Sequence, residues 1–404
     1  MKKDFIPVLR FVASSDAHIE GVDSVGYKRL KKTVDFSLSL AEKDENYNKL
    51  DALLMAGDFT DHGRPDEFDA FGEIFRYAAD KGLPILSIVA RGHECITLKK
   101  KSLDYFTGVT KQETDFHKVI GGYHFIGLST CPVPVIHYSA RQRKWLKEQF
   151  DRAVADTPDK PVFLMHHEHV RNTVYGSTKF DGWGHPFFTK LLKKYPNTVD
   201  FSGHSHYPLN DPRSLWQKEY TAIGTGSLKY AELTVDSERC VHPPTYKNCA
   251  TFWIVEADKS GNLHLTGMDC EAEKIICEYY LDNPADKRNR EYTEEKQKAR
   301  SKSPVFPAGA QLVLKNENGV YSVKYPRAES TDGMPVFIYR ASVFDEKDKE
   351  ITKGKTVPSY YLYCSEDVIV TVLGKLPQGK YKVKAWAETA YGIKSECIEK
   401  TIEL

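Results

Sequence analysis

The sequence predicts an α/β layered domain followed by a small β-sandwich, and three features point there. Short β-branched runs alternate with longer amphipathic stretches through the first 270 or so residues, the pattern of layered sheets and helices. A stretch dense in both charge signs, Asn283 to Ser303, then interrupts that alternation. Beyond it come only short alternating runs separated by turn residues, as in a sandwich of about 100 residues. A length of 404 residues agrees, since roughly 150 residues per domain gives two to three domains. The boundaries read as 1–280 for the α/β domain, 281–305 for a charged helical linker and 306–404 for the β-sandwich.

Within the first domain, strand-like runs are Leu9–Ser14, Ala52–Ala56, Ile85–Ala90, His124–Leu128, Val162–His166, Thr198–Ser202 and Tyr220–Ile223. Helical patterns fall between them at Tyr27–Glu42, Asp66–Lys81, Ala140–Ala155 and His185–Tyr195. Phe68, Phe71, Phe75 and Ala79 recur at the spacing of one buried helix face, with Pro65 opening that helix and Gly82 closing it. Two further runs, Ala250–Val255 and Leu263–Gly267, predict a hairpin around Gly261-Asn262. In the last domain, runs at Tyr321–Lys324, Val336–Tyr339, Val368–Val372 and Tyr381–Ala385 alternate with turns at Asn318-Gly319, Asp332-Gly333 and Pro377–Gly379. The segment LPQGKYKVKAWAETAYGIKSE resembles the last hairpin of fibronectin type III domains.

Composition narrows the function. Lys plus Arg total 57 against 56 for Asp plus Glu, and a net charge of +1 disfavours a polyanion-binding surface and so nucleic acid. No apolar run reaches the ~18 residues that a spanning helix needs. Eight cysteines are scattered without a C-x-x-C pair, which argues against a zinc ribbon or a redox motif and for buried hydrophobes. Cys240 with Cys249, and Cys270 with Cys277, are the pairs close enough in sequence to bridge in an oxidising compartment. The start, MKKDFIPVLRF, has no apolar stretch after its lysines. As written the chain reads as cytoplasmic, and as extracytoplasmic if a leader has been removed.

The chemistry lies at five strand ends. Asp16-Ala17-His18 follows the first strand, and Gly57-Asp58 with Asp61 and Gly63 follows the second. Gly92-His93-Glu94 follows the third, His166-His167 ends the strand at Val162, and Gly203-His204-Ser205-His206 follows Thr198–Phe201. Each cluster alone is ordinary loop sequence. Together they place carboxylates and imidazoles at the carboxyl ends of successive strands, where open α/β sheets build their sites. Such ligands suit Mn²⁺, Fe or Zn²⁺. Of the remaining histidines, only His185 in the run Gly-Trp-Gly-His is a candidate to line a substrate cleft. No G-x-S-x-G, P-loop or G-x-G-x-x-G motif competes.

In this order the motifs resemble those of the calcineurin-like metallophosphoesterase family, over roughly residues 8–270. The resemblance implies a four-layer sandwich of two β-sheets flanked by helices. It also implies a hydrolase that attacks a phosphate ester, more readily a diester, with a hydroxide bridging two metal ions. Carried over, Asp16, His18 and His206 would bind the first metal, His166 and His204 the second, and Asp58 would bridge them. Of the adjacent pair, His166 stands where the family's histidine falls. His93 would contact phosphate and act as general acid, and Asp61 would orient a ligand or its loop. Small phosphate esters are the implied substrates, and the β-sandwich offers a surface for a protein or glycan partner.

One motif departs from the family. Arg91-Gly92-His93-Glu94 stands where family members carry Gly-Asn-His-[Asp/Glu], so the Asn ligand of the second metal is replaced by Gly92. The second metal would then bind with fewer protein ligands, or Glu94 or His167 would compensate, or the site would be weakened or mononuclear. Arg91 could add a fixed positive charge on phosphate. The alternative from another class is a weakened scaffold of the same fold serving as a binding module. Tyr207, Arg213 and Trp216, just after the last motif, are candidates either for sorting substrates or for packing.

Overall fold

The computed structural model describes residues 5–130 and 137–404, which divide into two compact units, Met1–Thr293 and Glu294–Leu404. The first contains two six-stranded mixed sheets. One runs β16-β15-β14-β1-β2-β3, built from β1 (Pro7–Ser14), β2 (Ala52–Met55), β3 (Ile85–Ser87), β14 (Thr251–Asp258), β15 (Leu263–Asp269) and β16 (Lys274–Leu281). The other runs β10-β11-β9-β6-β5-β4, from β4 (Phe116–Ile120), β5 (Tyr123–Gly127), β6 (Val162–Met165), β9 (Thr198–Ser202), β10 (Leu215–Gln217) and β11 (Thr221–Gly224). The strands that end in the candidate ligand residues, β1, β2 and β3 in one sheet and β6 and β9 in the other, pair in parallel with their neighbours in those sets. Their carboxyl ends therefore emerge on one side, as the motif positions require.

Three cores hold four layers together. Phe11 of β1 meets Phe125, Phe163 and Phe201 of the opposing sheet at centroid distances of 5.1, 4.9 and 5.8 Å, within a core shared by both sheets. The outer face of the first sheet packs Val12, Leu53 and Met55 against α1 (Val25–Glu42), α2 (Pro65–Asp80) and α3 (Lys101–Thr110). The outer face of the second packs Ile126, Val162 and Leu164 against α4 (Ala140–Asp156) and the single turn α5 (Thr189–Leu192). Two ribbons complete the unit: β7 (His169–Val170) with β8 (Gly184–His185), and β12 (Leu233–Val235) with β13 (Glu238–Val241).

Several elements depart from the sequence pattern for identifiable reasons. The third strand stops at Ser87 rather than Ala90, because Val89 N–H donates to Ser129 Oγ at 2.9 Å and Ala90 N–H to Glu94 Oε2 at 2.9 Å. The helix expected over His185–Tyr195 shrinks to α5, since Pro186 holds His185 extended and His185 joins β8. On α2 the buried face drifts from Phe75 and Ala79 onto Ile74 and Ala78, beside Phe68 and Phe71. Helix α3, absent from the sequence reading, explains Gly72, where a Cβ would come within 2.9 Å of Val109 Cβ. The charged stretch is only partly a linker. Arg290 is buried and donates to the carbonyls of Lys218 and Pro196, fastening the segment before Thr293 to the first unit.

The described cysteines, Cys95, Cys240, Cys249, Cys270, Cys277, Cys364 and Cys397, are free thiols; Cys131 lies outside the described residues. Among the described residues no helix is long and apolar enough to cross a membrane. The second unit opens with α6 (Glu294–Arg300), followed by β17 (Val313–Glu317), β18 (Val320–Pro326), β19 (Val336–Phe344), β20 (Glu350–Thr356), β21 (Val368–Gly374), β22 (Lys380–Thr389) and β23 (Ile398–Glu403). These form a three-stranded sheet, β17-β18-β21, and a four-stranded sheet, β20-β19-β22-β23. Val323 and Tyr325 of one share a core with Tyr339, Ala341 and Val383 of the other.

Candidate metal centre

Asp16, His18, Asp58, His204 and His206 share one backbone feature: each has a positive φ, from 44° at His18 to 73° at His204. This left-handed conformation is uncommon outside glycine, and Asp and His adopt it more readily than most. It turns the chain sharply at the strand end and aims each side chain across the end of the sheet. The turns are held by backbone pairing between the loops after β1 and β2. Asp16 N–H donates to Gly57 O at 3.1 Å, His18 N–H to Asp58 O at 3.0 Å and Ile19 N–H to Phe59 O at 2.8 Å. His204 N–H donates to the Asp16 carboxylate at 3.1 Å, which ties the loop after β9 to the same point. Gly203 is required there, since a Cβ would run into Asp16 Oδ2 and Ser15 Oγ.

Two groups of ligand atoms result. In the first, His18 Nε2 lies 3.1 Å from His206 Nε2, and Asp16 Oδ1 lies 3.3 Å from His206 Nε2 and 3.9 Å from His18 Nε2. In the second, His167 Nε2 lies 3.0 Å from His204 Nδ1 and 3.0 Å from Asp58 Oδ2. A third grouping, His18, Asp61 and His93, borders the first. The far nitrogens are committed. His167 Nδ1 donates to Ala56 O at 2.9 Å, which turns its Nε2 into the group. His206 Nδ1 meets Ser227 Oγ at 3.2 Å, and that hydroxyl donates to Asp16 O. Asp61 Oδ1 stands 3.4 Å from His18 Nδ1, and its carbonyl accepts from His93 Nδ1 at 2.6 Å.

The sequence expectation of His166 is corrected by this geometry. His166 Nε2 sits 2.8 Å from Asp200 Oδ1, away from both groups, while its neighbour His167 completes the second. Successive residues leaving a strand point to opposite sides, so only one of an adjacent pair can reach the centre. Gly57 leaves room for it, since a Cβ there would come within 2.9 Å of His167 Nδ1. Glu94 is no ligand in this arrangement. Its buried carboxylate accepts from the backbone of Thr60 at 3.0 Å, Ala90 at 2.9 Å and Asp58 at 3.3 Å, clamping two site loops together. Gly92 faces the second group: a Cβ built there would meet only Asp58 Oδ1, at 3.8 Å. Arg91 lies beyond it, with a buried Nη1 that has no partner among the described residues. His93 is 37% exposed, with Nε2 3.9 Å from Asp58 Oδ2.

Electrostatics match a cation-binding role. Burial opposes ionisation of Asp16 and Asp58, yet the charges of His206 and His167 hold both well below the usual carboxylate range. Burial, with His167 nearby, pushes His204 down to about 4. Burial and the Asp58 charge push Glu94 well up. Asp58 Oδ1 is buried without a partner among the described residues. Imidazole nitrogens converging beside two carboxylates are a donor set that divalent metals fit, the metal taking the place of the ring protons.

Tyr230 is a neighbour that no sequence signal marked; its ring lies 4.2 Å from that of His206. Tyr207, Arg213 and Trp216 instead pack. Tyr207 OH pairs with Thr234 Oγ1, Arg213 lies over the Tyr175 ring at 3.7 Å while paired with Asp211, and Trp216 meets Tyr220 at 5.3 Å.

Residues 9–208 match the model of the calcineurin-like phosphoesterase family. Over 204 residues the chain is 26% identical to a cAMP/cGMP dual specificity phosphodiesterase of Mycobacterium tuberculosis, covering 48% of this chain and 61% of that protein. Among solved structures it is similar to a purple acid phosphatase from yellow lupin seeds, at 12% identity and a TM-score of 0.44, covering 67% of this chain and 53% of that one. It is also similar to a hypothetical protein from Pyrococcus horikoshii, at 13% identity and a TM-score of 0.32, covering 69% and 90%. A novel archaeal phosphodiesterase follows at 12% identity and a TM-score of 0.25, covering 68% and 100%.

Two measurements probe this geometry. His167→Gln should lose bound Mn²⁺ by at least about tenfold in affinity. His166→Gln should retain more of it while lowering the melting temperature, because it removes a buried ring packed 4.9 Å from that of Phe188. Equal metal loss in both would contradict the placement. The second concerns His169, whose ring nitrogens each meet a serine, Ser202 and Ser205, at 2.8 Å. Burial, with the His204 charge, holds it down at about 3 against an ordinary 6.5. The unfolded chain therefore takes up the proton first as pH falls. Its contribution to stability is complete above pH 6.5 and is lost as pH drops toward 3. His169→Gln should flatten urea-unfolding stability across that window by up to ~1.4 kcal/mol per pH unit.

Proposed function

We propose that the chain is a metal-dependent phosphoesterase acting on a small phosphate diester. One observation carries this: two pairs of imidazole nitrogens, 3.1 and 3.0 Å apart, each converge beside a buried carboxylate at the carboxyl ends of parallel strands. Asp16, His18 and His206 would hold one divalent metal ion, and His167 and His204 a second, with Asp58 shared. Its Oδ2 faces His167, and its partnerless Oδ1 supports the shared role. Mn²⁺, Fe and Zn²⁺ all suit this set. When bound, the ions supply Lewis acidity that lowers the pKa of water and offsets charge on phosphate. His93, oriented through Nδ1 by Asp61 O, would hold a proton on Nε2 for the departing alkoxide oxygen. Asp61 also fixes the His18 ring, and Glu94 keeps the Asp58 and Ala90 loops in register. The diester preference rests on the phosphodiesterase relative, of which the chain spans 61%.

A weakened scaffold acting as a binding module is the second reading, and Gly92 favours it by offering no ligand atom. For the second unit we propose a fibronectin type III-like sandwich that engages a protein or glycan. Its support is the strand order β17-β18-β21 and β20-β19-β22-β23, with Tyr381 at the start of β22 donating back to Pro377 O at 3.1 Å.

Metal-stripped protein titrated with Mn²⁺ should hydrolyse bis(p-nitrophenyl) phosphate, and Asp58→Asn should lose at least about a hundredfold in kcat/KM. Absence of turnover with Mn²⁺, Fe and Zn²⁺ alike would favour the scaffold. Gly92 lies outside the left-handed region and an added Cβ has room, so Gly92→Asn should fold normally. It should raise affinity for the more weakly held Mn²⁺ by about tenfold, measured by calorimetry.

A further inference from the structure

Beside the Asp58, His167 and His204 group lies a cluster that the proposed chemistry leaves unused. Glu168 follows His167 directly and leads into β7, and β8, which pairs with β7, ends in His185. That ribbon is anchored to the centre by Trp183, whose ring stands edge-on to His204 at 4.9 Å. His137, His185 and Phe187 cluster, with centroid distances of 4.2 Å between His137 and His185, 3.8 Å between His185 and Phe187 and 5.1 Å between His137 and Phe187. His137 Nε2 is 3.8 Å from Glu168 Oε1. Arg91, two residues before His93, has its backbone N–H on Thr130 Oγ1 at 2.6 Å, and its charge acts on both imidazoles, at His185 after burial, His137 and Arg171.

Four buried polar atoms in this cluster have no partner among the described residues: Arg91 Nη1, His137 Nδ1, His185 Nδ1 and Glu168 Oε2. Buried polar atoms are normally paired, so four open ones in one cluster mark a place for a polar ligand group. Their chemistry is mixed. Arg91 donates only, Glu168 accepts only, and a neutral imidazole nitrogen can do either. Arg171, the other cation nearby, spends its guanidinium on Gly184 O at 3.3 Å, so the open groups are one donor, one acceptor and two imidazole nitrogens. A group that both donates and accepts, without charge, meets all four; hydroxyls do so.

Resting on the phosphoesterase reading, we infer that Arg91, His137, Glu168 and His185 form a subsite for a hydroxyl-rich arm of the substrate, a sugar ring attached to the phosphate. The arm lies on the His167 and His204 side of the centre, where Glu168 and Trp183 join the two sites. Arg91 is then a specificity residue whose guanidinium and the Glu168 carboxylate bracket neighbouring hydroxyls.

The test uses two ligands matched in ring size and phosphate but not in hydroxyls. The full chain loaded with Mn²⁺ is titrated calorimetrically with glucose 1-phosphate and with cyclohexyl phosphate. The expected result is a Kd at least about tenfold lower for glucose 1-phosphate, the worth of one charge-assisted hydrogen bond. That preference should vanish in Arg91→Ala and in His185→Leu, each checked for folding by thermal unfolding. Equal affinities, binding of neither ester, or a preference that survives both variants would overturn the subsite. The experiment does not require turnover. Sugar preference without diester hydrolysis would remove the phosphoesterase reading alone, and hydrolysis without preference would remove only the subsite.

Discussion

The first unit depends on a backbone constraint at the ends of two parallel strands. The loops after β1 and β2 are joined by hydrogen bonds from Asp16, His18 and Ile19 to Gly57, Asp58 and Phe59, and the pairing extends to an Ile19–Thr60 bridge. It holds Asp16, His18 and Asp58 in the left-handed region, at φ values of 54°, 44° and 49°. Strained backbone of this kind persists only where the surroundings over-determine it, and it collects at functional sites. Here the surroundings are two sheets sharing a core around Phe11, Phe163 and Phe201, which fix where the strand ends emerge.

That constraint brings like groups together, and the structure balances them in pairs. Asp16 faces His206, Asp58 faces His167, and the far nitrogens of His167, His206 and His18 turn outward to Ala56 O, Ser227 Oγ and Asp61. Glu94 adds a buried carboxyl close to Asp58, where a second negative charge is disfavoured, and its oxygens are occupied by three backbone amides. The centre is therefore shaped by groups that do not enter it. The same holds on its far side, where the β7–β8 ribbon sets His185 against His137, and His137 lies 3.8 Å from Glu168.

Much of this was legible in the sequence because the motifs are local. Strand periodicity located β1, β2, β6 and β9, and the residues after β1, β2 and β9 are those the structure gathers. The adjacent histidines were not resolvable in that way. Which of His166 and His167 turns inward depends on where the strand's alternation ends, and there His166 lies beside the buried Asp200, 2.8 Å away. The segment His185–Tyr195 read as a helix, while Pro186 and a small ribbon determine the path of its start. Arg290 was hidden by the charges around it, since only the fold reveals the carbonyls that receive its guanidinium. Glu94 and Tyr230 act through contacts between distant segments, which spacing along the chain does not encode.

The most direct test of the proposed centre is an anomalous-difference map from crystals of the chain grown with Mn²⁺. Two peaks are predicted, one within ligand distance of Asp16, His18 and His206 and one within ligand distance of Asp58, His167 and His204. Asp58 should contact both. A single peak, or a second ion held by His166 in place of His167, would contradict the account.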